Sequence, residues 1–507
     1  MNNELTIYNS LSRKSEKFVP REEGYVGMYV CGPTVYSDVH LGNCRTFVSF
    51  DIIYRYLMHL GNKVRYVRNI TDVGHLTGDS DDGEDKISKK AKLENLEPME
   101  VAQKFSNGFH EMMEVFNTLS PSIEPRATGH IIEQIEMVEK IIENGFAYES
   151  NGSVYFDTLK FDKACRDGEV GDNVFYGQLS GRILDDLLAE SRDLKKQNEK
   201  NHPSDFAIWM KADESHLMRW NSPWSVGFPG WHLECSAMST KYLGEGFDIH
   251  GGGTDLKFPH HENEIAQNLG ACGCAPAKYW LHANMLLMNG KKMSKSDGNT
   301  ISPQELFNGK SDHVTQGYDP MAVKLFMLQS HYRSTLDLTD LGLQAADKGY
   351  KRLMEANRIL QNIEIPAGDA NDKTAEIKKL MDSAIADMND DFNTPKALSR
   401  LFELVPFINS YKNKLAGYET LDTETLIALK KFFTDFLFDI FGLKDAMGNE
   451  SNGLGKSMDG LMELVIDLRQ SARENKDWPT SDKIRDTLQA LNIQLKDGKE
   501  GTTWSLN

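Results

Sequence analysis

The stretch that most constrains the fold runs from Gly27 to Ile70. Gly27–Val30 (GMYV) is a short apolar run, cut off by the tight-loop sequence Cys31-Gly32-Pro33-Thr34. From Thr46 to Leu60 the chain carries Phe, Ile, Tyr and Leu at helical spacing, and Lys63–Ile70 (KVRYVRNI) alternates like a second strand. Strand, loop, helix and strand in this order read as a βαβ unit. Its two strands must run parallel, and sheets of this kind bind ligands beyond the carboxyl ends of their strands. The expected fold class is α/β, built on a Rossmann-like parallel sheet. At 507 residues the chain also exceeds what one core organises, so several domains are expected.

Two motifs belong at that carboxyl edge. His40-Leu41-Gly42-Asn43 opens the helix, where free backbone N–H groups and the helix dipole favour an anion. Gly42 leaves room for a flat base, and His40 and Asn43 can donate to phosphate. The same residues equally suit a plain helix cap beside a satisfied histidine. Far downstream, Gly290–Asn299 (GKKMSKSDGN) sets lysines and hydroxyls between glycines, as a mobile clamp on a polyphosphate requires. Lys292 and Lys295 are compact charges that can follow a phosphate as its negative charge grows in a transition state.

A third motif points to a metal. Phe258–Gln267 (FPHHENEIAQ) reads as the start of a helix, on which His260 and Glu264 share one face. His261 and Glu262 point away from His260 and are read as supporting or substrate-edge groups. Six cysteines in this length make no disulfide framework, and in a reducing compartment a functional pair favours metal. Cys44 and Cys165 read as buried small hydrophobes, and Cys272-Gly273-Cys274 as ordinary loop cysteines.

Composition excludes little else. At 40% hydrophobic and 26% charged the chain is globular, and no apolar run approaches the roughly 20 residues a bilayer requires. Met1–Val19 has no signal-peptide core, so a cytoplasmic protein is expected. A net charge of −18 argues against nonspecific nucleic-acid binding over the whole surface, but not against a local basic footprint.

HLGN opening a βαβ unit, with KMSKS after the second half of the same sheet, resembles the class I aminoacyl-tRNA synthetases. The nearer resemblance is to the cysteinyl-tRNA synthetase family and covers nearly the whole chain. It is carried by Tyr29–Asn43 (YVCGPTVYSDVHLGN), Val67–Leu76 (VRNITDVGHL), Pro229–Met238 (PGWHLECSAM), Phe247–Gln267 (FDIHGGGTDLKFPHHENEIAQ) and Lys291–Asn299 (KKMSKSDGN). Asn43 stands where the family's HIGH signature has its second histidine, which leaves a neutral donor.

The resemblance implies one zinc ion per subunit, held by Cys31, Cys235, His260 and Glu264. Two thiolates, an imidazole and a carboxylate are a plausible zinc set. By general rule four protein ligands mark a structural site; the family implies instead that zinc also accepts the thiolate of substrate cysteine. Thr71, Trp231 and His250 become substrate contacts. Gly251, Gly252, Gly253 and Asp255 should receive adenosine, with His40, Gly42, Asn43 and Lys295 on the phosphates and magnesium accompanying ATP.

The implied activity is ATP-dependent ligation of L-cysteine to tRNA(Cys), by a protein with no membrane segment and a monomer by default. A cysteine ligase acting on an amino sugar and a non-catalytic RNA-binding relative are the alternatives. Expected domains are 1–115 and 226–300 for the two catalytic halves and 116–225 for a connective insertion. A stem-contact junction (301–345), a helical bundle (346–447) and a small anticodon-binding subdomain (455–507) complete the chain. The charged run Asp185–Lys200 reads as a solvated helix or loop, and Asp85–Lys90 as part of a flexible segment able to close over the site.

Overall fold

The βαβ unit forms, and each element starts at or before the position its pattern suggests. A strand at Tyr25–Val30 leads to a helix at Leu41–His59 and a second strand at Lys63–Arg68. The computed structural model describes residues 5–74, 85–171, 174–182, 199–214, 216–293, 299–364, 372–413, 422–445, 456–490, 493–498 and 501–506. It divides into two compact units, Met1–Leu443 and Lys444–Asn507.

In the first unit the central sheet has four parallel strands in the order Ala277–Ala283, Phe247–Gly253, Tyr25–Val30, Lys63–Arg68. Winding runs outward from each of the two middle strands. The crevice between their carboxyl ends, where Val30 pairs with Gly251, is therefore the topological switch point at which such sheets bind ligands.

Alternation along the strands divides the core in two. Met28, Val30, Ile249 and Leu281 face one cluster, with Leu41 and Phe50 from the first helix. Tyr29, Cys31, Val67 and Trp280 face the other, with Leu233, Cys235 and Ile265. The period of two thus delivers Cys31 to the face covered by helices Trp231–Leu243 and His260–Cys272.

Between the two halves stands an antiparallel five-stranded sheet, in the order Ala147–Ser150, Ser153–Phe156, Phe206–Lys211, Val226–Pro229, Trp220–Asn221. Its last long strand ends at Pro229, and Gly230 caps the helix that bears Cys235. Residues 183–198, most of the charged run, lie outside the described residues. Asp85–Lys90 is not a loose segment: Asp85 accepts from Ser88 N–H at 2.8 Å and caps a helix at Lys86–Glu94, which buries Ile87, Ser88 and Ala91. An N-cap carboxylate and an apolar face at helical spacing favour the helix despite its charge.

Helices Asp340–Asn362, Asp372–Asn389, Thr394–Lys412 and Thr423–Thr434 pack as a bundle on Leu343, Ala346, Leu353, Ile377, Leu401 and Leu429. The second unit is a small α/β fold. Helices Lys456–Glu474 and Trp478–Ala490 precede a hairpin of Ile493–Gly498 and Gly501–Leu506, with Met462, Leu488 and Ile493 in its core.

Arg45, one turn into the first helix and 1% exposed, ties that helix to the segments beyond the sheet. Its guanidinium donates to the carbonyls of Asn284 (2.9 Å), Met285 (2.6 Å), His331 (3.3 Å) and Ser334. Arg45→Met should lower the unfolding free energy by about 3 kcal/mol, because buried carbonyls lose their donor. The urea midpoint measures this; an unchanged midpoint would mean that the guanidinium only fills space.

Candidate active site and metal centre

Four side chains converge behind the switch point. Cys31 leaves the first strand still bonded to the second half, its N–H donating to Gly251 O at 3.0 Å. Gly32 comes next because nothing larger fits: a Cβ there would lie 1.6 Å from Asn69 O. Cys235 comes from the helix after Gly230, and His260 and Glu264 from the first turns of the next helix. One ligand atom of each lies within 4.8 Å of the others, and all four residues are buried. Cys31 Sγ and Cys235 Sγ are 3.8 Å apart, which is about the edge of a tetrahedron around zinc with its thiolates near 2.3 Å.

The electrostatics match this donor set. Burial alone would push the Cys235 thiol up, but the Cys31 S–H directed at it and the His260 imidazole bring it down to about 6. Burial would likewise lower His260, yet the Cys235 thiolate and Glu264 lift it to about 10. Burial would raise Glu264; His250 and His260 hold it down at about 2. Cys31 is pushed well up by burial and by its bond to Cys235. His260 Nε2 is buried and lies 3.1 Å from Glu264 Oε1, an ion pair that brings the two donors to one point. Residues and geometry therefore fit zinc.

A second set, Cys31, His250, His261 and Glu264, overlaps the first. In it the histidines are already engaged. His250 Nε2 lies 2.7 Å from Glu264 Oε2, and His261 runs from Cys31 Sγ (3.3 Å) through His282 Nε2 (2.9 Å) to Ser10 Oγ (2.8 Å).

The other expected residues divide between this centre and its surroundings. His40 and Asn43 form a reciprocal cap on the first helix: His40 Nδ1 accepts from Asn43 N–H at 3.3 Å, and Asn43 Oδ1 from His40 N–H at 3.4 Å. Thr71 Oγ1 donates to Glu234 at 2.6 Å and accepts from Asn69 Nδ2 at 3.0 Å. Trp231 lies over His260, ring centroids 4.6 Å apart. His250 is fully buried, stacked on Trp280 and bonded to Glu264, so it stands behind the carboxylate rather than on an open wall. At Gly251 and Gly252 a Cβ would strike Phe50 and His261, at 2.2 and 2.9 Å; at Gly253 it would strike the exposed Asp255. Close approach at all three glycines is by protein side chains. Lys292 pairs with Leu287 through the backbone, and Lys295 lies outside the described residues.

Three participants went unread. Asn69 accepts from Gly32 N–H at 2.8 Å and lies 3.7 Å from Cys235 Sγ. His232 Nδ1 is 3.0 Å from His260 Nδ1. Glu234 is buried, its carboxyl raised by burial and by Cys235. Asn69, His232 and Glu234 sit within the motif stretches VRNIT and GWHLEC, which was the available signal.

Residues 17–348 match the model of the tRNA synthetases class I (C) catalytic domain, and residues 384–444 that of the DALR domain. The cysteine–tRNA ligase of Bacteroides thetaiotaomicron is 53% identical over 507 residues, and that of Phocaeicola vulgatus 54% over 510; each alignment covers 100% of both chains. The chain belongs to the cysteine–tRNA ligase family. A solved Mycobacterium tuberculosis methionyl-tRNA synthetase in complex with methionyl-adenylate shares the fold of this family member, with a TM-score of 0.56 at 13% identity over 82% of this chain and 89% of that one. Among the described residues, no helix is long and apolar enough to cross a membrane.

Proposed function

We propose that this protein joins L-cysteine to tRNA(Cys) in two steps. Cysteine and ATP give cysteinyl-adenylate and pyrophosphate; a ribose hydroxyl of the terminal adenosine of the tRNA then takes the acyl group. The observation that carries this reading is the full-length likeness to cysteine–tRNA ligases, together with four buried zinc-type donors behind the switch point of the sheet. Bound at Cys31, Cys235, His260 and Glu264, zinc supplies a soft Lewis acid that prefers a thiolate to the hydroxyl of serine.

The chain's own groups do the rest. His250 orients Glu264, and Trp231 covers His260 as a wall of the amino-acid pocket. Thr71, held by Glu234, faces the same region. The amino end of the first helix, capped by His40 and Asn43 beside Gly42, offers N–H groups to phosphate, while the exposed Asp255, next to Gly251–Gly253, accepts from the ribose of adenosine. Lys292 and Lys295 neutralise the charge that develops on the phosphates, with magnesium on ATP. The adenylate is already activated, so transfer requires no strong general base. We divide the chain into catalytic halves 1–115 and 226–300, insertion 116–225, junction 301–345, bundle 346–447 and an anticodon-reading part 455–507, acting as a cytoplasmic monomer.

Charging of total tRNA with labelled cysteine tests the reading. The full chain should charge; a chain ending at Gly448 should keep cysteine-dependent pyrophosphate exchange and lose charging. Lys295→Ala should slow that exchange about a hundredfold, the cost of removing one donor to developing charge, with zinc content unchanged. Transfer to an amino sugar instead of tRNA, or tRNA binding without exchange, would overturn the assignment.

A further inference from the structure

A second group of thiols lies at the opposite edge of the central sheet. The pairing of Phe247–Gly253 with Ala277–Ala283 begins with Phe247 against Ala277, and Phe247 N–H donates to Pro276 O at 2.8 Å. The segments just before these two strands are therefore neighbours, and they carry Glu245 and Cys274. Cys274 Sγ lies 3.3 Å from Glu245 O. Gly273, at φ 74°, ends the helix that begins at His260 and turns the chain back. The sulfurs of Cys272 and Cys274 are consequently 3.2 Å apart.

One ligand atom from each of Glu245, Cys272 and Cys274 lies within 4.8 Å of the others. Both cysteines are half-buried and Glu245 is exposed, so a small ion can reach them. Two thiolates at about 2.3 Å from a tetrahedral ion stand about 3.8 Å apart, so the sulfurs need spread only slightly. Cys272 is also the last residue of its helix, where unpaired carbonyls favour a cation.

We propose that Glu245, Cys272 and Cys274 form a second metal site, for a thiophilic divalent ion such as zinc or cadmium, with one position left to solvent. Cys272 lies two helical turns beyond Glu264, about 12 Å along the axis, so the site is separate from the candidate active centre. Glu245 comes just after the helix that bears Cys235, and Cys272 ends the helix that bears His260 and Glu264. An ion here would brace the far ends of both helices that supply donors to the first centre.

The test uses the full reduced chain, equilibrated with zinc chloride and then freed of loosely held ion by gel filtration. Elemental analysis should find two zinc per chain in the wild type and one in Cys272→Ser/Cys274→Ser. After loading with cadmium, the ultraviolet thiolate-to-metal absorption of the double variant should fall by the share of two thiolates, and Glu245→Gln should hold the second ion more weakly. A single zinc in the reduced wild type that the double variant retains overturns the proposal, as does a second zinc undiminished in the double variant.

Discussion

Cys235→Ser is expected to weaken zinc binding by roughly several hundredfold. A four-ligand zinc site is worth about 10–16 kcal/mol, so each donor carries roughly 3–4 kcal/mol, and a serine hydroxyl does not ionise near neutral pH to replace a thiolate. Cys235 is the donor for which this loss is greatest, because the metal-free fold already holds it as thiolate with its value near 6. Removing that anion also leaves the His260 imidazole without the first of the partners that lift it to about 10. Competition against a chromophoric chelator gives the affinity, and cysteine-dependent pyrophosphate exchange should fall with it. Cys165→Ser is the control. Cys165 is also buried, in the second core cluster, so the variant suffers a comparable polar burial without touching the four donors. Zinc affinity equal to wild type in Cys235→Ser would exclude Cys235 as a ligand.

His260 and Glu264 were legible because an i, i+4 relation is local and survives any tertiary arrangement. The placement of Cys31 at the end of a strand was local as well. Its meeting with Cys235 depends on the pairing of Tyr25–Val30 with Phe247–Gly253, segments far apart in the chain, and no spacing announces that; the family motifs supplied it. Glu262 shows the same limit from the other side. Adjacency to His260 suggested a role at the site, yet its carboxylate accepts from Gly177 and Ser180 N–H, both at 2.9 Å, and so pins a loop. Helical phase turned it away from His260 correctly but could not name what it would meet. The insertion's sheet stayed hidden for a related reason. Its strand Ser153–Phe156 is four residues long, the partner Phe206–Lys211 is apolar almost throughout, and Trp220–Asn221 is two residues long. The glycines of Gly251–Gly253 were legible as a place of close approach, but not as places occupied by Phe50, His261 and Asp255.

Zinc affinity should rise about ten-thousandfold between pH 7 and pH 9, two protons being displaced per ion bound. The metal-free values set the sign. Glu264, held at about 2, and Cys235, at about 6, have lost their protons before this window opens. His260, lifted to about 10 after Cys235 and Glu264 outweigh burial, still carries one proton, and Cys31, raised by burial and by Cys235, carries another. Both must leave before these atoms can ligate, so each pH unit strengthens binding about a hundredfold. Below pH 6 the Cys235 thiolate takes up a third proton and the dependence steepens. The upper end of the window discriminates. Donors with ordinary values would be an imidazole neutral above about 6.5 and thiols ionised above about 8.5, and the curve would flatten towards pH 9. Chelator competition at half-unit intervals from pH 6.5 to 9.5 measures the slope. A plateau above pH 8.5 would mean that the pocket does not hold its protons where burial and the neighbouring anions place them.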